Sequence, residues 1–99
     1  MVYKYIFLSE AQEEYEEALY WYLEKGISVA ENFVNAVDNA LLLICDHPLR
    51  WRNFFDIYFE LSLKKFPFNI VYIVDSERKL VIVTSVYHHR KNPEKKYRK

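Results

Sequence analysis

A chain of 99 residues with 52% hydrophobic side chains, 18% aromatics, one glycine and three prolines can build one buried core and has little left for long loops or disorder. Formal net charge is +0, but it is unevenly spread: residues 1–48 carry 2 basic and 9 acidic side chains and residues 49–99 carry 12 and 5, so the halves are −7 and +7. The lone Cys45 excludes an internal disulfide, and the longest apolar run, "ALLLIC" at 40–45, is too short to span a bilayer.

The N-terminus lacks the charged start and apolar middle of a signal peptide, so a cytoplasmic protein with no membrane partner is expected. The charge split points to an acidic partner for the second half, or to two halves that attract each other once folded.

In chain order, "VYKYIFL" at 2–8 is rich in β-branched and aromatic residues and predicts a strand. Ser9, with Gln12 three residues on, predicts a capping box opening a helix. Ala11, Tyr15, Ala18, Leu19 and Tyr22 fall on one helical face, and Gly26 is expected to end the helix in a left-handed cap. Ser28 and Glu31 predict a second capping box. Phe33, Val37, Ala40, Leu41 and Ile44 repeat the apolar spacing until Pro48 stops it, which makes the two helices an antiparallel hairpin. Three further strands are predicted: "FFDIYFEL" at 54–61, "FPFNIVYIV" at 66–74 and "LVIVTSVYH" at 80–88, the last two paired across the polar turn "DSERK". The fold class is α+β, ordered β-α-α-β-β-β, with the helical hairpin on one face of an antiparallel sheet. Residues 1–99 form one domain, of which 91–99 is a basic tail expected to be exposed and mobile.

The chemistry concentrates in "SVYHHRKNP" at 85–93. His88 and His89 are adjacent on a strand end and leave on opposite faces, while Cys45 and His47 lie about 200° apart around a helix. No metal site and no cofactor are expected. Cys45 follows Leu41 by one helical turn and reads as core. His88 and Arg90 share a face if the strand continues, with Tyr87, His89 and Lys91 on the other. An imidazole beside a guanidinium suits phosphodiester cleavage, and a strand leaving the core also ends in polar residues simply because water is there. Lys64 and Lys65 open the neighbouring antiparallel strand and are expected near His88 and Arg90, Arg50 and Arg52 flank Trp51, and Lys64, Arg50, Arg52, Tyr87, His89 and Lys91 are the candidates for contacting a partner. Of the helix-1 acids Glu10, Glu13, Glu14, Glu16, Glu17 and Glu24, the early ones suit the positive end of the helix dipole and the rest read as a solvated face.

The run "LSEAQEEYEEALYWY", the helix "AENFVNAVDNALLLICDHP", the strand start Lys65, Phe66, Pro67, Phe68 and the ending His88, Arg90, Pro93 together resemble the toxins of the RelE/ParE superfamily, above all its ParE-like branch. The resemblance implies a growth-arresting toxin, neutralised by a cognate antitoxin in a toxin–antitoxin hetero-oligomer. ParE-like members inhibit DNA gyrase. RelE-like members cleave mRNA on the ribosome without a metal, and by that likeness His88, Arg90 and Lys65, with Lys64 and Tyr97 as further counterparts, are the catalytic candidates. A third alternative is a non-toxic interaction module of the same fold.

Overall fold

The computed structural model describes residues 2–90; the expectations for Lys91, Pro93, Tyr97 and the tail fall outside them. The element order is β1 (Lys4–Phe7), α1 (Ser9–Lys25), α2 (Ile27–Asp46), β2 (Arg52–Phe55), β3 (Tyr58–Ser62), β4 (Phe68–Asp75) and β5 (Leu80–His88). The sheet order is β1-β5-β4-β3-β2, with β1 parallel to β5 and the remaining pairs antiparallel. The α+β class and the helical hairpin on one sheet face are as the sequence predicts.

One strand becomes two. The run 54–61 is a hairpin whose two-residue loop, Asp56 and Ile57, lies between Phe55 and its partner Tyr58. Asp56 takes φ 49, the left-handed conformation that aspartate tolerates, and the Asn53 amide donates to the carbonyls of Asp56 at 2.9 Å and Tyr58 at 3.0 Å. The sheet therefore has five strands where four were expected.

Neither capping box forms. The Leu8 N–H donates to the Val83 carbonyl at 2.9 Å, so the β1 ladder runs up to Ser9, which becomes the first helical residue; its hydroxyl turns to Glu10. Gly26 alone joins the helices. Its N–H closes α1 on the Tyr22 carbonyl at 3.0 Å, and its carbonyl accepts the Ala30 N–H that opens α2 at 3.1 Å. It does so at φ 151 and ψ 149, an extended positive-φ conformation rather than the left-handed cap expected. α2 thus starts at Ile27, which leaves Ser28 inside the helix.

The apolar helical faces are the core. Ala11, Ala18 and Tyr22 of α1 and Phe33, Val37, Ala40, Leu41, Ile44 and Cys45 of α2 pack on Phe68, Ile70, Tyr72, Val81, Val83 and Val86 of the sheet. α2 is long and apolar enough, by length and composition, to cross a membrane, and the core uses its apolar face. Burial raises the pKa of the Cys45 thiol and suits it to packing rather than to nucleophilic work. A smaller cluster of Tyr58, Val71 and Tyr87 sits on the other sheet face.

The β4–β5 pairing slips between Val71 and Tyr72: Val71 faces Ser85 while Tyr72 faces Val83, so Thr84 is an extra residue. Glu14 of α1 meets this bulge. Its carboxylate accepts the Ser85 hydroxyl at 2.8 Å and the Val86 N–H at 3.1 Å. Glu14, grouped with the solvated acids in the sequence, is instead the polar strap between helix and sheet.

Candidate functional site

The β3–β4 turn and the end of β5 meet at one edge of the molecule. Phe68 faces His88 across the ladder, and the His89 N–H donates to the Pro67 carbonyl at 2.9 Å. Lys65 sits in the left-handed region at φ 67, which turns the chain so that Phe66 drives between the helices, 5.2 Å from Tyr22 and 5.4 Å from Phe33 between ring centroids. That wedge separates two grooves.

The first groove, about 410 Å³, lies between α1 and the β4–β5 end and is lined by Glu14, Glu17, Ala18, Trp21, Tyr22, Pro67, Phe68 and His88. The His88 ring packs edge-on against Phe68 at 4.9 Å, and its Nδ1 accepts the Arg90 N–H at 3.0 Å. β5 ends at His88 and the chain turns there, so the His88–Arg90 link is a bond from the Arg90 backbone N–H to the His88 ring rather than the shared strand face expected. The second groove, about 790 Å³, runs along α2 past Asn32, Asn35 and Asn39 to a floor of Leu61, Leu63 and Phe66, with Lys64 and Lys65 at its side. Lys64 and Lys65 reach the same molecular edge as His88 and line a different groove from it.

On the opposite sheet face a polar row crosses β2, β3 and β4 and ends on His89, the residue that follows β5. Arg52 lies 3.4 Å from one Glu60 carboxylate oxygen, and the Asn69 amide donates to the other at 2.9 Å. The Asn69 carbonyl oxygen accepts the Ser62 hydroxyl at 2.7 Å and meets His89 Nε2 at 2.9 Å. An acceptor there requires the proton on His89 Nε2. Glu60 is 6% and Asn69 8% exposed, so each is buried and hydrogen-bonded. The two imidazoles therefore do leave on opposite faces, His88 to the helices and His89 to this row.

The other candidate residues are dispersed. Arg50 stacks over the Trp51 ring at 5.3 Å, and Tyr87, expected to contact a partner, is 4% exposed in the cluster with Tyr58 and Val71. Among the described residues no group of three or more His, Cys, Asp or Glu could hold a metal ion. Sequence reasoning missed Glu14, Glu60 and Asn69. The last two carried a legible signal, a polar residue inside an otherwise apolar strand run; Glu14 carried none beyond its helical position.

The fold has counterparts among solved structures. RelE in the intact Escherichia coli RelBE toxin–antitoxin complex superposes with a TM-score of 0.65 at 20% identity, over 90% of this chain and 99% of that one. A RelE mutant of E. coli bound to a RelB antitoxin peptide gives 0.66 at 21%, over 95% and 90%. A chain of the chromosomal ParDE toxin–antitoxin system of P. aeruginosa gives 0.60 at 12%, over 88% and 96%. No curated protein matches the sequence. At these identities the structures share the fold alone, whereas the family model for the ParE toxin of type II toxin–antitoxin systems matches residues 5–93. That match takes in both helices, β2 to β5, β1 from its second residue and the His88–Pro93 ending, and the chain belongs to the ParE toxin family.

Proposed function

We propose that this toxin arrests growth by binding a protein target, DNA gyrase, and that a cognate antitoxin neutralises it in the cytoplasm. The observation that carries the binding reading is where the charges sit. A metal-free phosphodiester-cleaving site needs cations that converge on one phosphate. Here His88 shares its groove with Glu14 and Glu17, Arg52 is engaged by Glu60, and Lys64 and Lys65 face α2. Such a distribution suits protein contacts on two flanks of one edge.

The antitoxin part rests on likeness: the RelE counterpart was solved with its antitoxin peptide. In this chain the α2 groove has an apolar floor, a row of asparagine amides and two lysines, which suits an acidic amphipathic segment.

The test is a gyrase supercoiling assay beside a ribosome-dependent mRNA cleavage assay on the purified chain. Gyrase inhibition that the antitoxin reverses, with intact mRNA, is the expected result. Cleaved mRNA with unaltered supercoiling overturns it.

One observation favours the ribonuclease reading, the row Arg52–Glu60–Asn69–His89, which holds an imidazole in one tautomer and links it through Asn69 to a buried carboxylate. In that case His89→Ala abolishes mRNA cleavage. The catalytic set drawn from the sequence, His88, Arg90 and Lys65, predicts the same of His88→Ala and Arg90→Ala. A protein inert in both assays and harmless on expression is the non-toxic module.

A further inference from the structure

We propose that the α1 groove is a receptor for one cationic side chain, arginine or lysine, carried on an apolar stretch of a partner polypeptide. The inference does not depend on whether gyrase or the ribosome is the target.

Glu14 and Glu17 stand three residues apart on α1 and Trp21 follows four after Glu17, so all three lie on one helical stripe. The groove they share is walled by Tyr22, Pro67 and Phe68. The two carboxylates are placed differently. Glu14 is fixed by its hydrogen bonds to Ser85 and Val86, and little ordering remains to be done there on binding. Glu17 is exposed and makes no ion pair or hydrogen bond among the described residues. Trp21, 54% exposed, already attracts an ammonium: Lys25 Nζ lies 4.7 Å from its ring centroid.

The lining selects the occupant. An anion meets two carboxylates against the single imidazole of His88, and a neutral apolar side chain covers Glu17 without offering it a partner, which disfavours it. A lysine or arginine lays its alkyl stem along the aromatic wall and brings its charged head to the carboxylates. A stem of that kind projecting from an apolar segment fits the mixed lining better than a small free polycation, which has no apolar flank to use.

The test is a ¹⁵N NMR titration of the full chain with an acetylated, amidated pentapeptide, Leu-Ala-Arg-Ala-Leu, and with the same peptide carrying citrulline for arginine. The arginine peptide is expected to give saturable shifts at the Trp21 indole N–H and at the Glu17 and His88 amides, well above those of its citrulline counterpart. Glu17→Gln and Trp21→Ala, both at exposed positions, should each weaken it about two- to fivefold, while Glu13→Gln leaves it unchanged. Equal binding of the citrulline peptide, equal shifts from spermidine at matched concentration, or no saturable shift at these three residues overturns the proposal.

Discussion

Replacing Glu14 by alanine isolates the strap that joins helix to sheet. The Thr84 bulge takes β5 out of register, and the Ser85 hydroxyl and Val86 N–H turn to the Glu14 carboxylate. Ser85 and Val86 are both 0% exposed with the half-buried Glu14 in place, so water replaces the lost acceptor only in part, through the groove that Glu14 lines. A buried donor left unsatisfied costs about 1–3 kcal/mol, and two such donors make the loss about 2–4 kcal/mol after partial relaxation. Glutamine keeps an acceptor oxygen and gives up only the charge assistance, at about 0.5–1.5 kcal/mol. Glu13→Ala, one residue away on the solvated side, is expected within about 0.5 kcal/mol of the parent. Urea unfolding of the three variants at pH 7 measures the differences, and a double-mutant cycle with Ser85→Ala isolates the coupling. A Glu14→Ala variant as stable as Glu13→Ala, or a glutamine variant as weak as the alanine one, refutes the reasoning.

Gly26→Ala meets no atom within 4 Å of the new Cβ but must hold φ 151, so backbone strain alone predicts a loss of about 1–3 kcal/mol in thermal unfolding. Tyr72→Phe removes the 2.6 Å hydrogen bond from the phenol to the Pro48 carbonyl, for about 0.5–1.5 kcal/mol at neutral pH. Burial raises the Tyr72 pKa above its ordinary value, so the contribution of that phenol is complete below about pH 10 and lost as pH rises further; the gap between the variant and the parent should close in alkaline unfolding curves. Asn69→Ala takes a donor from the buried Glu60 and the acceptor from His89, with about 1.5–3 kcal/mol lost and the His89 Nε2–H resonance displaced.

What the sequence made legible follows the range over which each signal acts. Phe33, Val37, Ala40, Leu41 and Ile44 announce a buried helical face because their spacing is local and periodic, and all five are buried. The hairpin at Asp56 was hidden because its loop has no glycine, and an Asp-Ile pair inside an apolar run looks like an uninterrupted strand. The first cap failed for a nonlocal reason, since the Leu8 N–H bond to the Val83 carbonyl decides where α1 can begin, and the second failed because Gly26 already opens α2 at Ile27. Glu14 is the extreme case: its partners lie 71 and 72 residues away and turn to it only where a bulge breaks the ladder, which no helical pattern encodes. The candidate site mixes these ranges. Its residue types stood in "SVYHHRKNP", but the separation of Lys65 from His88 depends on a positive φ and on Phe66 entering the helical hairpin.

The charge split acquires a spatial meaning from that separation. Lys64 and Lys65 line one groove and Glu14 and Glu17 the other, with Phe66 between them, so a partner that engages both offers an acidic and a basic element in fixed register. Screening acts on each contact over about 8 Å at 0.15 M salt, so affinity for such a partner should fall as ionic strength rises from 0.05 to 0.3 M. If the grooves act independently, Lys64→Ala with Lys65→Ala and Glu17→Gln each flatten part of that salt dependence, and their free-energy losses add within about 0.5 kcal/mol. A titration in which the lysine pair removes the whole dependence, leaving Glu17→Gln silent, assigns recognition to the α2 groove alone. A salt-independent affinity in the parent shows instead that the apolar walls carry the binding, and that the −7 and +7 halves serve each other rather than a partner.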